Sequence, residues 1–189
     1  LEDCVVIGYI GSFVHYEGLD DLLRAFATVL RRTSTPIKLL MVGDGNEDQR
    51  LRQIARQLNL GDAVLFTGRL PHSVIADYYS LVDIAPFPRQ SIPVCEVVSP
   101  MKPFEAMAME KTVVVSSVRA LSEIVEDHVN GLVFEKGDVQ HLADVLEDAI
   151  ENEAKRLELG RAARAWVTQH RTWDTISRQV AEVYGSLLP

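Results

Sequence analysis

The 189-residue sequence predicts an α/β fold, a Rossmann-like three-layer structure with helices on both faces of a parallel sheet. Short apolar runs rich in β-branched residues alternate with stretches whose apolar residues recur every three or four positions. Glycine or proline ends most of the apolar runs. Since each crossover helix must pack back onto the sheet, this alternation predicts about six parallel strands, followed by C-terminal helices.

The first third of the chain contains two strand-and-helix units. Val5–Ile10 is an apolar run, and apolar residues at helical spacing follow it over about 18–32. Ile37–Val42 repeats the strand pattern, and a glycine-rich turn separates it from a second helical pattern around 51–58. The same unit is therefore expected to recur along the chain.

The alternation continues through the middle of the chain and then gives way to helices. Further strands are predicted over 63–67, 83–87, 112–117 and 131–134, and further helices over about 71–81 and 103–110. Beyond these, three amphipathic patterns predict three helices, the last over about 173–188. The apolar stripe of that last helix needs a cover; its residues are Trp173, Ile176, Val180, Val183, Tyr184 and Leu187.

Composition restricts the function classes. A net charge of −8 and a pI near 5.1 argue against nucleic acid as a partner, because binding a phosphate backbone needs clustered Lys and Arg. Only two cysteines, Cys4 and Cys95, are present, so a reduced, cytoplasmic setting is expected. The length fits one domain over residues 1–189, and the start at Leu1 without Met is interpreted as a piece cut from a longer polypeptide.

Ligands of such sheets bind beyond the carboxyl ends of the strands, so the loops at 11–17, 43–46, 68–71, 88–102 and 117–121 matter most. The loop 88–102 is the longest, and loops of about 15 residues in a compact domain are usually functional or mobile. The helix after it is expected to begin at Pro103, whose missing amide hydrogen suits a first turn. Its free amides, with Lys102 beside them, predict a phosphate site.

Each candidate in these loops has a simpler alternative. Glu105 lies in the first turn of that helix, where it would bind ribose hydroxyls or only favour the helix dipole. Gly11 and Ser12 would let a diphosphate approach the backbone, or form an ordinary turn. Gly43 likewise belongs to a ligand loop or to a tight turn.

Two classes of site lack their sequence pattern. The chain has neither the phosphate loop of P-loop proteins nor the full dinucleotide fingerprint, which argues against kinase-like and NAD-dependent activities. The five histidines, at positions 15, 72, 128, 141 and 170, contain no pair spaced to chelate a metal. We therefore expect no metal and no other cofactor, and we single out His15 and His72 because they lie in or beside the strand-end loops.

Taken in order, the loops resemble the C-terminal domain of group 1 glycosyltransferases, the GT4-type family with the two-domain GT-B fold. The resemblance covers nearly the whole chain, and the order of its pieces is more specific than any single piece. The matching segments are 8–13, 16–20, 40–45, 64–69, 78–79 with Asp83, 100–108, 123–125 and 131–133. The Tyr-Glu-Gly-Leu segment at 16–19, Arg89, and the segment at 97–105 resemble a bacterial subfamily that makes extracellular polysaccharide.

The resemblance implies a retaining hexosyltransferase that transfers a sugar from a UDP- or GDP-sugar to an acceptor held mainly by an N-terminal domain. Glu105 would bind the ribose hydroxyls, Gly68 and Arg69 would line the base pocket, and Gly11 and Ser12 would approach the diphosphate. Val98, Pro100, Met101 and Lys102 would contact sugar or phosphate. The last helix would cross to the N-terminal domain; without that domain its stripe would be exposed, repacked or buried in a dimer, and the chain by itself would be inactive.

The chain departs from the family pattern at two places. The position eight residues before Glu105, where the family commonly has a second glutamate, holds Val97, and the nearest acid is Glu96. Where many relatives have a pair of cations, this chain has Ser12 and Glu17, so Arg69, Arg89 and Lys102 are the candidates to replace them. Glu96 and Lys102 remain the catalytic candidates.

Three functions stay open from the sequence. The first is the donor half of a polysaccharide or glycolipid glycosyltransferase, with membrane contact only through the full-length enzyme. The second is half of a UDP-sugar epimerase, for which the expected acids and histidines are not recognised. The third is a degenerate nucleotide-binding module that regulates or recruits a partner.

Overall fold

The computed structural model describes residues 3–187. The strands of the described chain are β1 (Val5–Ile10), β2 (Ile37–Val42), β3 (Val64–Gly68), β4 (Ile84–Phe87), β5 (Thr112–Ser116) and β6 (Leu132–Phe134). Its α-helices are α1 (Leu19–Arg32), α2 (Asp48–Gln57), α3 (Ile75–Ser80), α4 (Pro93–Val97), α5 (Lys102–Ala108), α6 (Arg119–Ser122), α7 (Val139–Glu151), α8 (Glu153–His170) and α9 (Trp173–Leu187).

The strands form one parallel sheet in the order β3-β2-β1-β4-β5-β6. Chain order runs outward in opposite directions from the pair β1 and β4, which are in register at Ile7 and Ile84. This reversal is the switch point at which open α/β sheets bind ligands, beyond the carboxyl ends of the strands. The Rossmann-like parallel sheet with C-terminal helices is therefore confirmed.

Helix α1 shows why the apolar pattern folds as predicted. Leu22, Leu23 and Phe26 are fully buried on one face of this helix, which packs along α7. Gly18 precedes the helix at φ 68°, and a Cβ atom there would lie 2.0 Å from the carbonyl oxygen of Pro88. Glycine is therefore required where the start of α1 meets the segment after β4.

The segments between the strands contain the differences from the predicted elements. The predicted loop 88–102 contains the short helix α4, which Pro93 begins at a position where no amide hydrogen is needed. The helix predicted over 71–81 is a 3₁₀ turn at His72–Val74 followed by α3. Helix α5 starts one residue before Pro103 and ends at Ala108, because Glu110 has φ 57°, which a helix cannot continue.

The last helix has no fully buried residue between Trp173 and Leu187, and its apolar stripe is exposed except at Ile176, which is partly buried. Trp173 is 77% exposed and Tyr184 66%. The predicted final position, 188, lies outside the described residues, as does Leu1. Between residues 3 and 187, no helix is both long and apolar enough to cross a membrane.

Candidate functional site

An open cavity of about 680 Å³ lies at the carboxyl edge of the sheet. The ends of β1, β2 and β3 form one side of it, and α3 and α5 form the other. Its lining residues are Ile10, Gly11, Ser12, Val42, Gly43, Asp44, Arg69, Leu70, His72, Ile75, Ala76, Tyr79, Lys102, Glu105, Ala108 and Met109. The cavity therefore occupies the switch point that the strand order defines.

Two glycines bring the loops after β1 and β2 into backbone contact. A Cβ atom on Gly43 would lie 2.0 Å from the carbonyl oxygen of Gly11, and Gly43 has φ 134°. The amide of Gly11 donates to the carbonyl of Val42, and the amide of Gly43 donates to the carbonyl of Gly68. These hydrogen bonds join the ends of β1, β2 and β3 into one continuous backbone surface beneath the cavity.

A buried charged group lies under that surface, and we call its three residues, Glu17, Arg89 and Lys102, the floor. The Glu17 side chain is 3% exposed, and its Oε1 accepts a 2.8 Å hydrogen bond from Nζ of Lys102. Nε of Arg89 lies 3.7 Å from the same oxygen, and the Arg89 side chain is 5% exposed. Because two cations face one carboxylate, the floor keeps an excess of positive charge.

Two polar atoms of the floor have no hydrogen-bond partner among the described residues: Oε2 of Glu17 and Nε of Arg89. Arg89 is held by other contacts, since Nη1 donates to the carbonyl of Val98 at 2.9 Å and the guanidinium lies over the ring of Tyr16. A buried ionic group with unused hydrogen-bonding capacity is costly to retain for stability alone. This cost favours a role in the cavity above it.

Lys102 connects the floor to the cavity. Its side chain is 22% exposed and lines the cavity, while its stem packs so closely on Gly11 that a Cβ atom there would lie 2.3 Å from Cε. The ammonium group lies 5.7 Å from the ring centroid of Tyr9. Burial, with a smaller contribution from Glu17, raises the pKa of Tyr9, so its hydroxyl stays neutral and donates to the carbonyl of Ser12.

On the opposite side of the cavity, Tyr79 and Glu105 form a second polar pair, which we call the rim. The hydroxyl of Tyr79 donates to Oε2 of Glu105 at 3.3 Å. Tyr79 is 4% exposed, whereas Glu105 is exposed. Burial, followed by the charge of Glu105, raises the pKa of Tyr79 above its usual value of 10.0.

The structure brings six of the predicted donor-binding residues together around the cavity: Gly11, Ser12, Gly43, Arg69, Lys102 and Glu105. Gly68 stands directly before Arg69 with φ 72° and contributes its carbonyl to the loop contact with Gly43. Arg89 lies beneath the cavity, in the floor. Val98, Pro100 and Met101 are in the segment between α4 and α5 and do not belong to the cavity lining.

Glu96, one of the two catalytic candidates, lies outside the lining of the cavity. Its carboxylate accepts hydrogen bonds from Nζ of Lys136 at 2.6 Å, the amide of Arg119 at 2.8 Å and the hydroxyl of Ser91 at 3.0 Å. The amide of Arg119, followed by Lys136, lowers the pKa of Glu96 to about 2. These contacts tie α4 to the start of α6, and the catalytic role of Glu96 stays a prediction.

Sequence reasoning missed Glu17 as a member of the site and did not assign Tyr79 a role. Glu17 had a signal, because an acid at a position where many relatives place a cation requires a partner, and Lys102 is that partner. Tyr79 belongs to the matching segment 78–79, but its apolar spacing is that of a core residue and indicated no role in the site. Of the two histidines singled out, His72 lines the cavity and His15 does not.

Comparisons with known proteins agree with this architecture. The sequence model of the family described as "Glycosyl transferases group 1" matches residues 2–166. The GDP-mannose-dependent alpha-(1-6)-phosphatidylinositol monomannoside mannosyltransferase of Mycobacterium tuberculosis is 26% identical over 175 residues, which are 92% of this chain and 45% of that protein. The chain thus spans about half the length of the curated relatives it matches.

Two solved structures share the fold. The C-terminal domain of a group 1 glycosyl transferase from Francisella tularensis superposes with a TM-score of 0.77 at 21% identity, covering 89% of this chain and 87% of that one. Anabaena HepE in complex with UDP superposes with a TM-score of 0.86 at 25% identity, covering 97% of this chain and 49% of that one. At 21% identity, the similarity to the Francisella tularensis domain concerns the fold alone.

Proposed function

The chain belongs to the group 1 glycosyl transferases, and from this premise we propose that it binds the nucleoside diphosphate sugar donor of a retaining hexosyl transfer. The observation that carries the proposal is the floor, where buried Glu17 holds the ammonium group of Lys102 at the base of the switch-point cavity. An anion in this cavity would meet a fixed positive charge in a partly dry environment. A diphosphate has the charge that this floor would balance.

The rim and the walls suit the rest of the donor. Glu105 presents an exposed carboxylate, which can accept hydrogen bonds from two ribose hydroxyls. Arg69, Leu70 and His72 line the wall beyond β3, and this wall would contact the base. The solved relative bound to UDP, Anabaena HepE, supports a nucleoside diphosphate as the ligand class.

In the proposed reaction the chain orients the donor and stabilises the leaving group. As the bond between the anomeric carbon and the diphosphate oxygen breaks, negative charge grows on the diphosphate, and Lys102 would stabilise it without moving. The oxygen of the acceptor hydroxyl forms the new bond to the anomeric carbon, and its proton passes to the departing diphosphate. The cations of the chain supply the charge balance, so the proposal includes no metal ion.

The acceptor side of the reaction belongs to the proposal as well. The exposed stripe of α9, which includes Trp173, Val183 and Tyr184, would contact an acceptor-binding domain, with a dimer of this chain as the alternative cover. We place the activity in bacterial polysaccharide or glycolipid synthesis in the cytoplasm, with membrane contact through the full-length enzyme. The curated relatives that suggest this include a capsular polysaccharide glycosyltransferase of Staphylococcus aureus.

A second function, a nucleotide-binding module without catalysis, is favoured by one observation. Position 97 holds a valine that is 77% exposed, and the neighbouring Glu96 is engaged by three hydrogen-bond donors. Neither residue belongs to the lining of the cavity. Such a module would bind the nucleotide through the same floor and rim.

Calorimetric titration of the chain with UDP and with GDP tests the proposal. One of the two should bind with a Kd below about 1 mM, which corresponds to about −4.1 kcal/mol. The affinity should be the same with Mg²⁺ and with EDTA, because Lys102 supplies the positive charge. Absence of binding by both nucleotides would remove both candidate functions, and a requirement for Mg²⁺ would remove the metal-free part.

The two candidate functions are distinguished by whether the full-length protein turns over a nucleotide sugar. A full-length enzyme that contains this chain should transfer or hydrolyse the sugar of the matching nucleotide sugar, with release of the diphosphate. A full-length protein that binds the nucleotide but releases no diphosphate would favour the module instead. Coupled detection of released UDP or GDP measures this directly.

A further inference from the structure

Tyr79 stands between the core and the cavity. Its ring is 4% exposed, and its hydroxyl lies at the cavity wall, 3.3 Å from Oε2 of Glu105. The two residues belong to different helices, α3 and α5, which follow different strands of the sheet. The hydrogen bond therefore links α3 to α5 on one side of the cavity, at its rim.

The chemistry of the pair gives each partner a fixed role. The raised pKa of Tyr79 keeps its phenol protonated, so its hydroxyl donates and Glu105 accepts. Glu105 is otherwise an exposed side chain with three rotatable bonds, which would adopt many orientations in water. One hydrogen bond to a buried, immobile phenol restricts these orientations.

The bond also leaves half of the carboxylate available. Within residues 3–187, the hydrogen bonds of the Glu105 side chain involve Oε2, and none involves Oε1. An ionised carboxylate has about four lone-pair directions, so the tether to Tyr79 uses a minor part of its accepting capacity. The remaining lone pairs are enough to accept hydrogen bonds from two adjacent hydroxyl groups of a ligand.

We propose that Tyr79 is a positioning residue that orients the Glu105 carboxylate for the vicinal diol of a ribose. The inference rests on the proposed function, because it assigns a part of the same nucleotide site. In this proposal Tyr79 acts through its hydrogen bond to Glu105 and has no direct part in the reaction. Its contribution should therefore appear in recognition of the ribose hydroxyls and in no other part of the ligand.

The test combines a substitution in the protein with a change in the ligand and measures the affinity of every combination. The Tyr79→Phe variant removes one oxygen and keeps the buried ring, while 2′,3′-dideoxy-UDP or 2′,3′-dideoxy-GDP removes the diol. Calorimetry of both ligands is carried out on wild type, Tyr79→Phe and the control Tyr78→Phe. Tyr78 is the adjacent tyrosine of α3, partly buried, and it does not line the cavity.

We expect Tyr79→Phe to weaken binding of the normal diphosphate about fivefold, as removal of one hydrogen bond to a charged group allows. The affinity for the dideoxy ligand should change less than twofold, and Tyr78→Phe should leave both affinities within twofold. Combining Tyr79→Phe with Glu105→Ala should be no weaker than Glu105→Ala alone. The combined variant distinguishes orientation of Glu105 from a direct contact.

Two outcomes overturn the inference and leave the proposed function intact. In the first, the wild type prefers the diol and Tyr79→Phe binds both ligands as the wild type does. In the second, Tyr79→Phe weakens both ligands equally, which is a structural effect. A wild type that binds neither UDP nor GDP instead overturns the proposed function, and the role of Tyr79 with it.

Discussion

Glu17 in the floor and Glu105 in the rim are carboxylates of one cavity in opposite environments. Glu17 is almost inaccessible and lies between two cations, whereas Glu105 is exposed and has one neutral donor, Tyr79. A buried charge is stable only with its partners, so Glu17 is committed to Lys102 and Arg89. An exposed carboxylate with a free oxygen is available to a ligand. The floor therefore fixes charge, and the rim, in the proposed function, would recognise hydroxyls.

The largest expected effect is the difference in folding stability between a variant of the floor and a variant of the rim. Glu17→Gln keeps the shape of the side chain but leaves Arg89 and Lys102 without their counter-charge, which should lower the free energy of unfolding by about 3–5 kcal/mol. Glu105→Gln should lower it by less than about 1 kcal/mol, because its carboxylate is solvated. Urea denaturation of both variants measures the difference. An equal loss of stability in the two variants would show that the floor is not a tightly coupled ionic group.

The second prediction tests which floor residue meets the ligand. Lys102→Ala should weaken binding of UDP or GDP about tenfold, or about 1.4 kcal/mol, because it removes the floor cation that lines the cavity. Glu17→Ala should weaken binding less, since both cations remain. Calorimetry on samples shown by circular dichroism to be folded gives the order. The reverse order would remove Lys102 from the diphosphate site.

A third prediction adds Glu96 to the comparison as a carboxylate with a structural role. Its pKa in the folded chain, about 2, is below its usual value of 4.5. The stability that Glu96 contributes is therefore present above pH 4.5 and is lost as the pH falls toward 2. Glu96→Gln should flatten the dependence of stability on pH in that window, as measured by urea denaturation at several pH values. An unchanged slope would show that the three hydrogen bonds do not hold the carboxylate in solution.

The smallest effect on binding is expected away from both floor and rim. Replacing Val183 and Tyr184 of α9 with serine should leave nucleotide affinity within about twofold, since α9 does not line the cavity. If the stripe forms a dimer contact, the same change should reduce the sedimentation coefficient of the chain. A large loss of affinity would mean that the ligand site extends to α9.

The sequence predicted the sheet well because the strands β1, β4 and β5 are almost entirely buried and their runs are mainly apolar. Val5–Ile10 and Ile37–Val42 are observed at their predicted bounds. Helix α4 was missed because five residues between prolines carry too little periodicity to be recognised. The predicted helices over 71–81 and 103–110 have different bounds, since local turns determined where each one starts or ends.

The sequence predicted the site residues that lie in loops directly after strands. It did not predict the pairs of side chains whose partners are far apart along the chain. Gly11, Gly43 and Lys102 stand in loops after strands, and topology alone brings such loops together. The partnership of Glu17 with Lys102 joins residues 85 positions apart, and that of Tyr79 with Glu105 joins residues 26 apart. No repeating pattern in the sequence indicates that residues so far apart along the chain are partners.

The contact between Gly11 and Gly43 restricts how this chain can diverge. The obstacle to a side chain at position 43 is the backbone carbonyl of residue 11, which no substitution at position 11 removes. A larger residue at position 43 must therefore shift a loop and, with it, the base of the cavity, whereas a larger residue at position 11 would meet the side chain of Lys102. Descendants of this sequence that keep the cavity should inherit Gly43, and its loss should accompany remodelling of both loops.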